Sequence, residues 1–446
     1  MPKSSSLSLR TLFWGFTTPD LVVAVKSVRS QCSHSLWVGK DASCDYKIID
    51  FYEYALERLP RLEPTCVDNV VLSADEKNSV YCVLQRELMG WQHGHVDFQQ
   101  LLQFFVRWYA QLLLKNHIER IWFAYIPHLG SELILYYVAR ALNIRTRMFY
   151  QSLFANRTFL IDKIEDFGRI SAHQGSYPDF QQDFNFGIPE QDWFYMRSLP
   201  KQISSAAWLR QIGWKRLKSY LRGKVPHLGV MALAHAYAER QQWLEQQQEI
   251  RWHQIEDFAG KDFVYFPLHM QPELTTDPLG GGYGDQARAI EHLRRILPED
   301  VAIVLKENPK QTFEWRDPAF FTRIFRLKNV YFVDAKVNTY LLLKQAVAVG
   351  SITGTVGWEG VLAGKPVLVV GSAWYRDLGG VFEVSQGCDW QLVRAFRPDF
   401  VQLRAQLAKL ASHLPEAITD MHYIAIYPDY DPQKNQQALI EILSND

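Results

Sequence analysis

Three stretches in the second half of the chain carry residue types suited to holding an anion such as a phosphate. The first is GSITGTVGWEGVLAGKPVLVVG, where a buried strand ends at Ile352, a turn of Thr353, Gly354, Thr355, Val356 and Gly357 follows, and a helix begins near Trp358. Glycines let backbone amides approach an anion, threonine hydroxyls add donors, and a helix N-terminus contributes partial positive charge. Glu359 is placed to accept from a ribose hydroxyl. An ordinary βα turn, in which glycine serves only a positive φ, accounts for the same residues. The second stretch, FPLHMQPELTTDPLGGGYGDQ, follows a strand and combines His269, Gln271, Glu273 and Thr275 with a flexible glycine run. Long polar loops in this position are functional or disordered. In the third, VLKENPKQTFEWRD, a strand ends at Lys306 and Glu307 before Asn308 and Pro309. Lys306 offers a point charge to a phosphate or carboxylate, and a solvated strand-end lysine is the plain alternative. GGGYGDQ lacks the GK[ST] of a P-loop and GSITGTVG lacks GxGxxG spacing, which disfavours an NTPase or a dehydrogenase.

These loops act together only if neighbouring strands bring them to one edge. From Asp262 to Gly371 the sequence alternates strand and helix with regularity: DFVYFPLH, ARAIEHLRRIL, VAIVLKE, FTRIFRL, VYFVD, NTYLLLKQA, VAVGSI, WEGVLAG, KPVLVVG. That is the pattern of a Rossmann-like parallel sheet, whose strand ends form a ligand edge. Between Leu21 and Asn156, β-rich runs (LVVAV, LWVG, ERIWFAYI, RTRMFY) alternate with helical patterns and predict a first α/β domain. Its clearest unit places Leu133, Ile134, Tyr137, Val138, Ala141 and Leu142 on one helix face after a turn of Pro127, His128, Leu129 and Gly130. From about Pro189 to Asp257 helix follows helix. The expected division is residues 1–190, an N-terminal Rossmann-like domain; 191–257, a helical connector; and 258–446, a C-terminal Rossmann-like domain with the last helices, near Val401–His413 and Gln433–Leu443.

The 446 residues suffice for two cores, and 48 Lys and Arg balance 48 Asp and Glu, so no global field favours nucleic acid as partner. Cys32, Cys44, Cys66, Cys82 and Cys388 are scattered and never form CxxC, which fits a reducing, cytoplasmic compartment. No signal peptide and no spanning helix is expected. Within the connector, AAWLRQIGWKRLKSYLRGK is amphipathic and carries Arg210, Lys215, Arg216, Lys218, Arg222 and Lys224. Such a helix lies on an anionic membrane or packs on a domain with its charges solvated.

FPLHMQPELTT, the KENP segment and SITGTVGWEGVLAGKPVLVVG resemble the C-terminal half of bacterial capsule polysaccharide biosynthesis proteins, the group that includes β-Kdo transferases (Kdo is 3-deoxy-manno-octulosonic acid). PHLGSELILYYVARALNIRT and ANRTFLIDKIEDFG are similar to the N-terminal half. The resemblance covers roughly Ile121–Asp166 and Asp262–Gly371. It implies an α/β, GT-B-like fold, two Rossmann-like domains facing a cleft, and a nucleotide-sugar-dependent glycosyltransferase, with CMP-Kdo or a related acidic sugar as donor and a capsule polysaccharide or glycolipid as acceptor. By the same resemblance the C-terminal, nucleotide-sugar-binding domain holds the donor and the N-terminal domain the acceptor; no cofactor beyond that donor is expected, and contact with the inner membrane face and the capsule assembly machinery goes with this reading. His269, Gln271, Glu273, Lys306, Thr353, Gly354, Thr355 and Glu359 are donor-site candidates by this resemblance. Members of the family commonly show His-Pro where this chain has Asn308-Pro309. An asparagine donates a hydrogen bond but transfers no proton at neutral pH.

Sugar transfer calls for a carboxylate near an oxocarbenium-like carbon as well as donors at the leaving phosphate. Glu132, Asp162 and Asp166 are the nominees, and Glu132 also reads as a first-turn glutamate favouring the helix dipole. No metal is expected. WQHGHVD, with His93, His95 and Asp97, is an incomplete site, and the DYD at Asp429–Asp431 lies far from a nucleotide-fold strand. Two rivals keep the same fold: a non-catalytic capsule assembly or export subunit, and a sugar-nucleotide epimerase or hydrolase.

Overall fold

The computed structural model describes residues 9–32, 34–47, 70–88, 98–172, 184–189, 204–221, 230–271, 273–311, 316, 319–334, 336–427 and 429–445. His93, His95, Asp97, Arg222 and Lys224 lie outside these described residues. The chain divides into two compact units, one of Met1–Tyr81, His95–Phe184 and Leu403–Asp446, the other of Cys82–Gly94 and Asn185–Gln402.

The chain begins with β1 (Thr11–Trp14), α1 (Pro19–Arg29), β2 (Ser35–Gly39), β3 (Tyr46–Lys47), α2 (Ala74–Leu88), α3 (Phe98–Lys115), β4 (Arg120–Phe123), α4 (Gly130–Ala141), β5 (Arg145–Gln151) and β6 (Thr158–Ile161). The first sheet has the order β3-β2-β1-β4-β5-β6, parallel except for the β5–β6 pair. The run LVVAV, expected as a strand, is part of α1. Pro19 and Asp20 favour a helix start, and Leu21, Ala24, Val25 and Val28 fall on the buried face at helical spacing, so packing overrides their β propensity. The central strand is instead the wholly buried TLFW of β1.

The second sheet follows α5 (Ser205–Leu221) and α6 (Val230–Glu249). It is built from β7 (Trp252–His253), β8 (Phe263–Pro267), α7 (Gln286–Ile296), β9 (Ala302–Lys306), α8 (Ala319–Ile324), β10 (Val330–Val333), α9 (Thr339–Gln345), β11 (Ala348–Ser351), α10 (Thr355–Leu362), β12 (Val367–Val369), β13 (Val381–Glu383) and α11 (Trp390–Ala395). All its pairings are parallel, in the order β13-β12-β11-β8-β9-β10-β7. Along β8, Val264 and Phe266 join one core while Phe263 and Tyr265 join another, so the strand is buried on both faces as parallel sheets require. Counted from β1 in the first sheet and from β8 in the second, six strands of each follow the doubly wound order 3-2-1-4-5-6. The expectation of two Rossmann-like parallel sheets is met.

The chain ends with α12 (Phe400–Ser412) and α13 (Pro432–Asn445). The tail was expected with the second domain, yet Leu403–Asp446 belong to the first unit. Leu439 and Leu443 of α13 share a core with Leu21, Ala24, Val25 and Val28 of α1. Buried Asp20 accepts from Asn435 Nδ2 at 2.7 Å and Gln436 Nε2 at 2.8 Å, and also from the Tyr430 hydroxyl. Helical periodicity announces an apolar face without saying which sheet will cover it. Among the described residues no helix is long and apolar enough to cross a membrane.

Candidate functional site

In the second sheet β8 and β11 are neighbours from which the chain winds off in opposite directions, and ligands of open α/β sheets bind beyond the strand ends at such a point. Register aligns the edge, since Pro267 pairs with Lys306, Lys306 with Val333, and Ser351 with Val369. The loops after β8, β9 and β11 therefore leave from one side of the sheet, as the sequence requires of a common site.

The turn after β11 is tighter than expected. The strand ends at Ser351 and α10 already starts at Thr355, with Gly354 as its N-cap at φ −70° and ψ 161°. Gly354 is therefore not needed for a left-handed backbone; it is needed for space. A Cβ there would stand 2.5 Å from His269 Nε2, and one at Gly357 would stand 2.0 Å from the Tyr375 hydroxyl. That hydroxyl donates to the Gly354 carbonyl at 2.7 Å, the Gly354 amide donates to Ser351 Oγ at 2.8 Å, and His269 Nε2 lies 3.3 Å from the same Oγ. Thr353 Oγ1 donates to the Thr275 carbonyl, which ties the β11 turn to the loop after β8.

That loop is ordered by its own contacts, glycines included. The Gln286 side chain clamps the His269 backbone through both amide and carbonyl at 2.8 Å. Gly280 lies so near the Thr276 carbonyl that a Cβ would stand 2.0 Å from it, and the Ser372 amide donates to Leu279 O at 2.8 Å. Asp277 accepts from the Glu273 amide at 2.9 Å, leaving the Glu273 side chain half-buried on this anchored turn. Behind the loop stands Arg316, which sequence reading missed. Its guanidinium donates to Gln271 Oε1 at 3.0 Å, to the His269 carbonyl at 3.5 Å and to Glu307 Oε1 at 2.6 Å, and it lies 4.8 Å from the Phe320 ring. Gln271 and Gln311 bond each other through backbone and side chain.

Burial sets the charges here. It pushes His269 down to about 4, helped by the Arg316 charge and weakly opposed by the Pro267 carbonyl, so the imidazole is neutral at pH 7. Burial likewise raises Glu307, against the pull of Arg316 and the Asn308 amide. Lys306 Nζ donates to Thr339 Oγ1 at 2.8 Å at the end of β9. Asn308 Oδ1 accepts from the Lys310 amide at 2.9 Å, a local turn. Glu359 is 4% exposed, on the second turn of α10; beside it the phenols of Tyr265 and Tyr375 are raised, by burial first and also by its charge. Of the donor candidates, His269, Gln271, Thr353 and Gly354 thus join one network.

The nominated carboxylates lie in the first unit, whose own switch point is between β1 and β4. Glu132 is 1% exposed and accepts from Trp14 Nε1 at 3.1 Å, the Tyr125 hydroxyl at 2.9 Å and the amides of His128 and Leu129 at 3.4 and 3.3 Å. It is the fixed N-terminal brace of α4. The side chain on the accessible side is His128, about one-third exposed, with Nδ1 3.2 Å from the Ile126 carbonyl and 4.0 Å from Glu132. Asp162 is exposed and pairs with Arg147 at 2.6 Å, while half-buried Asp166 ends the short 3-10 turn Ile164–Asp166. In the DYD stretch, Asp431 accepts from the Gln433 and Lys434 amides at the start of α13.

Residues 212–414 match the profile of the family described as capsule polysaccharide biosynthesis protein. No curated protein matches the chain. Among solved structures, the Thermosulfurimonas dismutans KpsC β-Kdo 2,7 transferase is similar at 12% identity and a TM-score of 0.31, covering 78% of this chain and 90% of that one. The Staphylococcus aureus MnaA–UDP co-structure is similar at 10% identity and a TM-score of 0.25 over 91% of each chain. A UDP-GlcNAc 2-epimerase from Methanocaldococcus jannaschii gives 12% identity and a TM-score of 0.24 over 86% of this chain and 90% of that one. Similarity this low decides nothing about activity.

Proposed function

With residues 212–414 matching the capsule polysaccharide biosynthesis family, we propose that this chain is a glycosyltransferase that moves a sugar from a nucleotide donor to a capsule polysaccharide or other surface glycan or glycolipid. The donor in this reading is CMP-Kdo or a related acidic sugar nucleotide. What supports it is the turn Thr353–Thr355 at the switch point, held by close packing of His269 on Gly354 and Tyr375 on Gly357. With the Thr353 hydroxyl and the Gly354 amide engaged inside the protein, the turn is rigid, and the amides of the helix start beyond it make a preorganised seat for a phosphate. Lys306, at the end of β9 two strands along from β11, supplies the cation that a leaving nucleotide phosphate needs. Gln271 and Glu273 contribute polar groups to the same edge, and Glu359 sits one turn below it. In the first unit His128 is the imidazole at the strand-end edge, whereas the chain after antiparallel β6 heads away from that edge and carries Asp162, paired with Arg147, and Asp166 with it.

Calorimetric titration with CMP-Kdo, CMP-sialic acid and UDP-GlcNAc tests the donor assignment. Binding of the CMP sugars is expected, and absence of heat with all three defeats it. A second reading, a non-catalytic assembly or export subunit with this fold, draws on one observation: the hydrogen bonds that Glu132 accepts tie it into the fold. Such a subunit would bind without releasing free nucleotide, so product analysis with an acceptor separates the two.

A further inference from the structure

In a chain whose charges balance, residues 193–238 hold eight Lys and Arg and no Asp or Glu. The described part of this stretch includes α5, which has two different sides. Trp208 is buried, with the Arg240 guanidinium 5.9 Å from its ring. Trp214, six residues on and so about 120° round the helix, is 58% exposed, and Leu221, two turns further along the same stripe, is 73% exposed. Arg210 and Lys218, each one turn from Trp214, flank it, and Lys215 lies beside them. Ala207, Arg210, Gln211, Trp214, Lys215 and Lys218 together line an open concavity of about 510 Å³.

We propose that this outer face of α5 docks on an anionic lipid bilayer surface. A helix lying in the interface needs apolar side chains that enter the acyl boundary and cations beside them that meet headgroup phosphates. Trp214 and Leu221 supply the first, and tryptophan is favoured at that depth. Arg210, Lys215 and Lys218 supply the second. A second copy of the chain would set these cations against their own kind, which opposes a symmetric contact. A polyanionic glycan would satisfy the cations but gives exposed Leu221 nothing to bury against.

Flotation of the full-length protein with vesicles, without nucleotide present, reads this proposal independently of any transferase activity. Vesicles of phosphatidylcholine with about one-third phosphatidylglycerol should carry the protein up the gradient, and pure phosphatidylcholine vesicles should not; raised salt should release it. The triple variant Arg210→Gln, Lys215→Gln, Lys218→Gln should bind on the order of 100-fold more weakly, near fivefold per cation. Trp214→Ala should weaken binding at unchanged charge, and unchanged thermal unfolding of both variants shows that the fold persists. Equal behaviour on the two vesicle types, an unaffected triple variant, or capture by a soluble anionic glycan without vesicle binding each overturns the proposal.

Discussion

Gly354 and His269 occupy adjoining space at the end of the second sheet, so closely that a methyl group on the first would lie 2.5 Å from Nε2 of the second. Neither can give way cheaply, because the imidazole is buried and its backbone is clamped by Gln286. Gly354→Ala should therefore cost about 1–3 kcal/mol of stability and weaken nucleotide binding at least about tenfold, or roughly 1.4 kcal/mol. Urea unfolding and calorimetry measure the two. Gly213→Ala is the control: nothing lies within 4 Å of a Cβ there, and alanine in a helix should gain about 0.5–1 kcal/mol.

Because His269 is held at about 4 in the fold against 6.5 as its ordinary value, the unfolded chain binds the extra proton first as pH falls. Stability should therefore be complete above about pH 6.5 and decline toward pH 4, by up to about 3 kcal/mol from this group. Thermal unfolding of the wild type and of His269→Asn across that range checks it. The difference between the two curves should narrow as pH drops, and parallel curves would remove His269 from the explanation.

Arg316 and Glu307 form a buried pair, with the arginine side chain 1% exposed. Arg316→Met leaves a carboxylate that burial already pushes toward protonation, at a cost of about 3–5 kcal/mol. Lower pH should soften that loss, since a protonated Glu307 no longer carries an uncompensated charge. The double variant Arg316→Met, Glu307→Leu should recover most of it, as a double-mutant cycle in urea would show.

Glu132→Gln tests whether this residue is a brace or a reacting group. An amide has one acceptor oxygen where the carboxylate has two, so donors from Trp14, Tyr125, His128 and Leu129 cannot all be met. A stability loss of about 1–3 kcal/mol is expected, with little change in turnover once the variant is folded. Turnover abolished at full stability would restore Glu132 to the chemistry.

The periodicity of the second half showed its strands and helices and, through them, the shared edge of the three loops. What periodicity cannot show is which groups meet behind that edge. Arg316 was hidden because a lone arginine in a loop looks solvated: its partner Glu307 stands nine residues earlier on the same loop, and Gln271 comes from another. The space constraint on Gly354 was hidden for the same reason: the residue that imposes it is 85 positions away. LVVAV misled because β-branched content was weighed above the Pro19–Asp20 helix start. The tail misled because an amphipathic helix does not name its partner.

The most direct test is a crystal of the protein soaked with cytidine monophosphate. The phosphate should lie over the Thr353–Thr355 turn, within reach of Lys306. A nucleotide bound elsewhere with that turn empty would contradict the proposed donor seat.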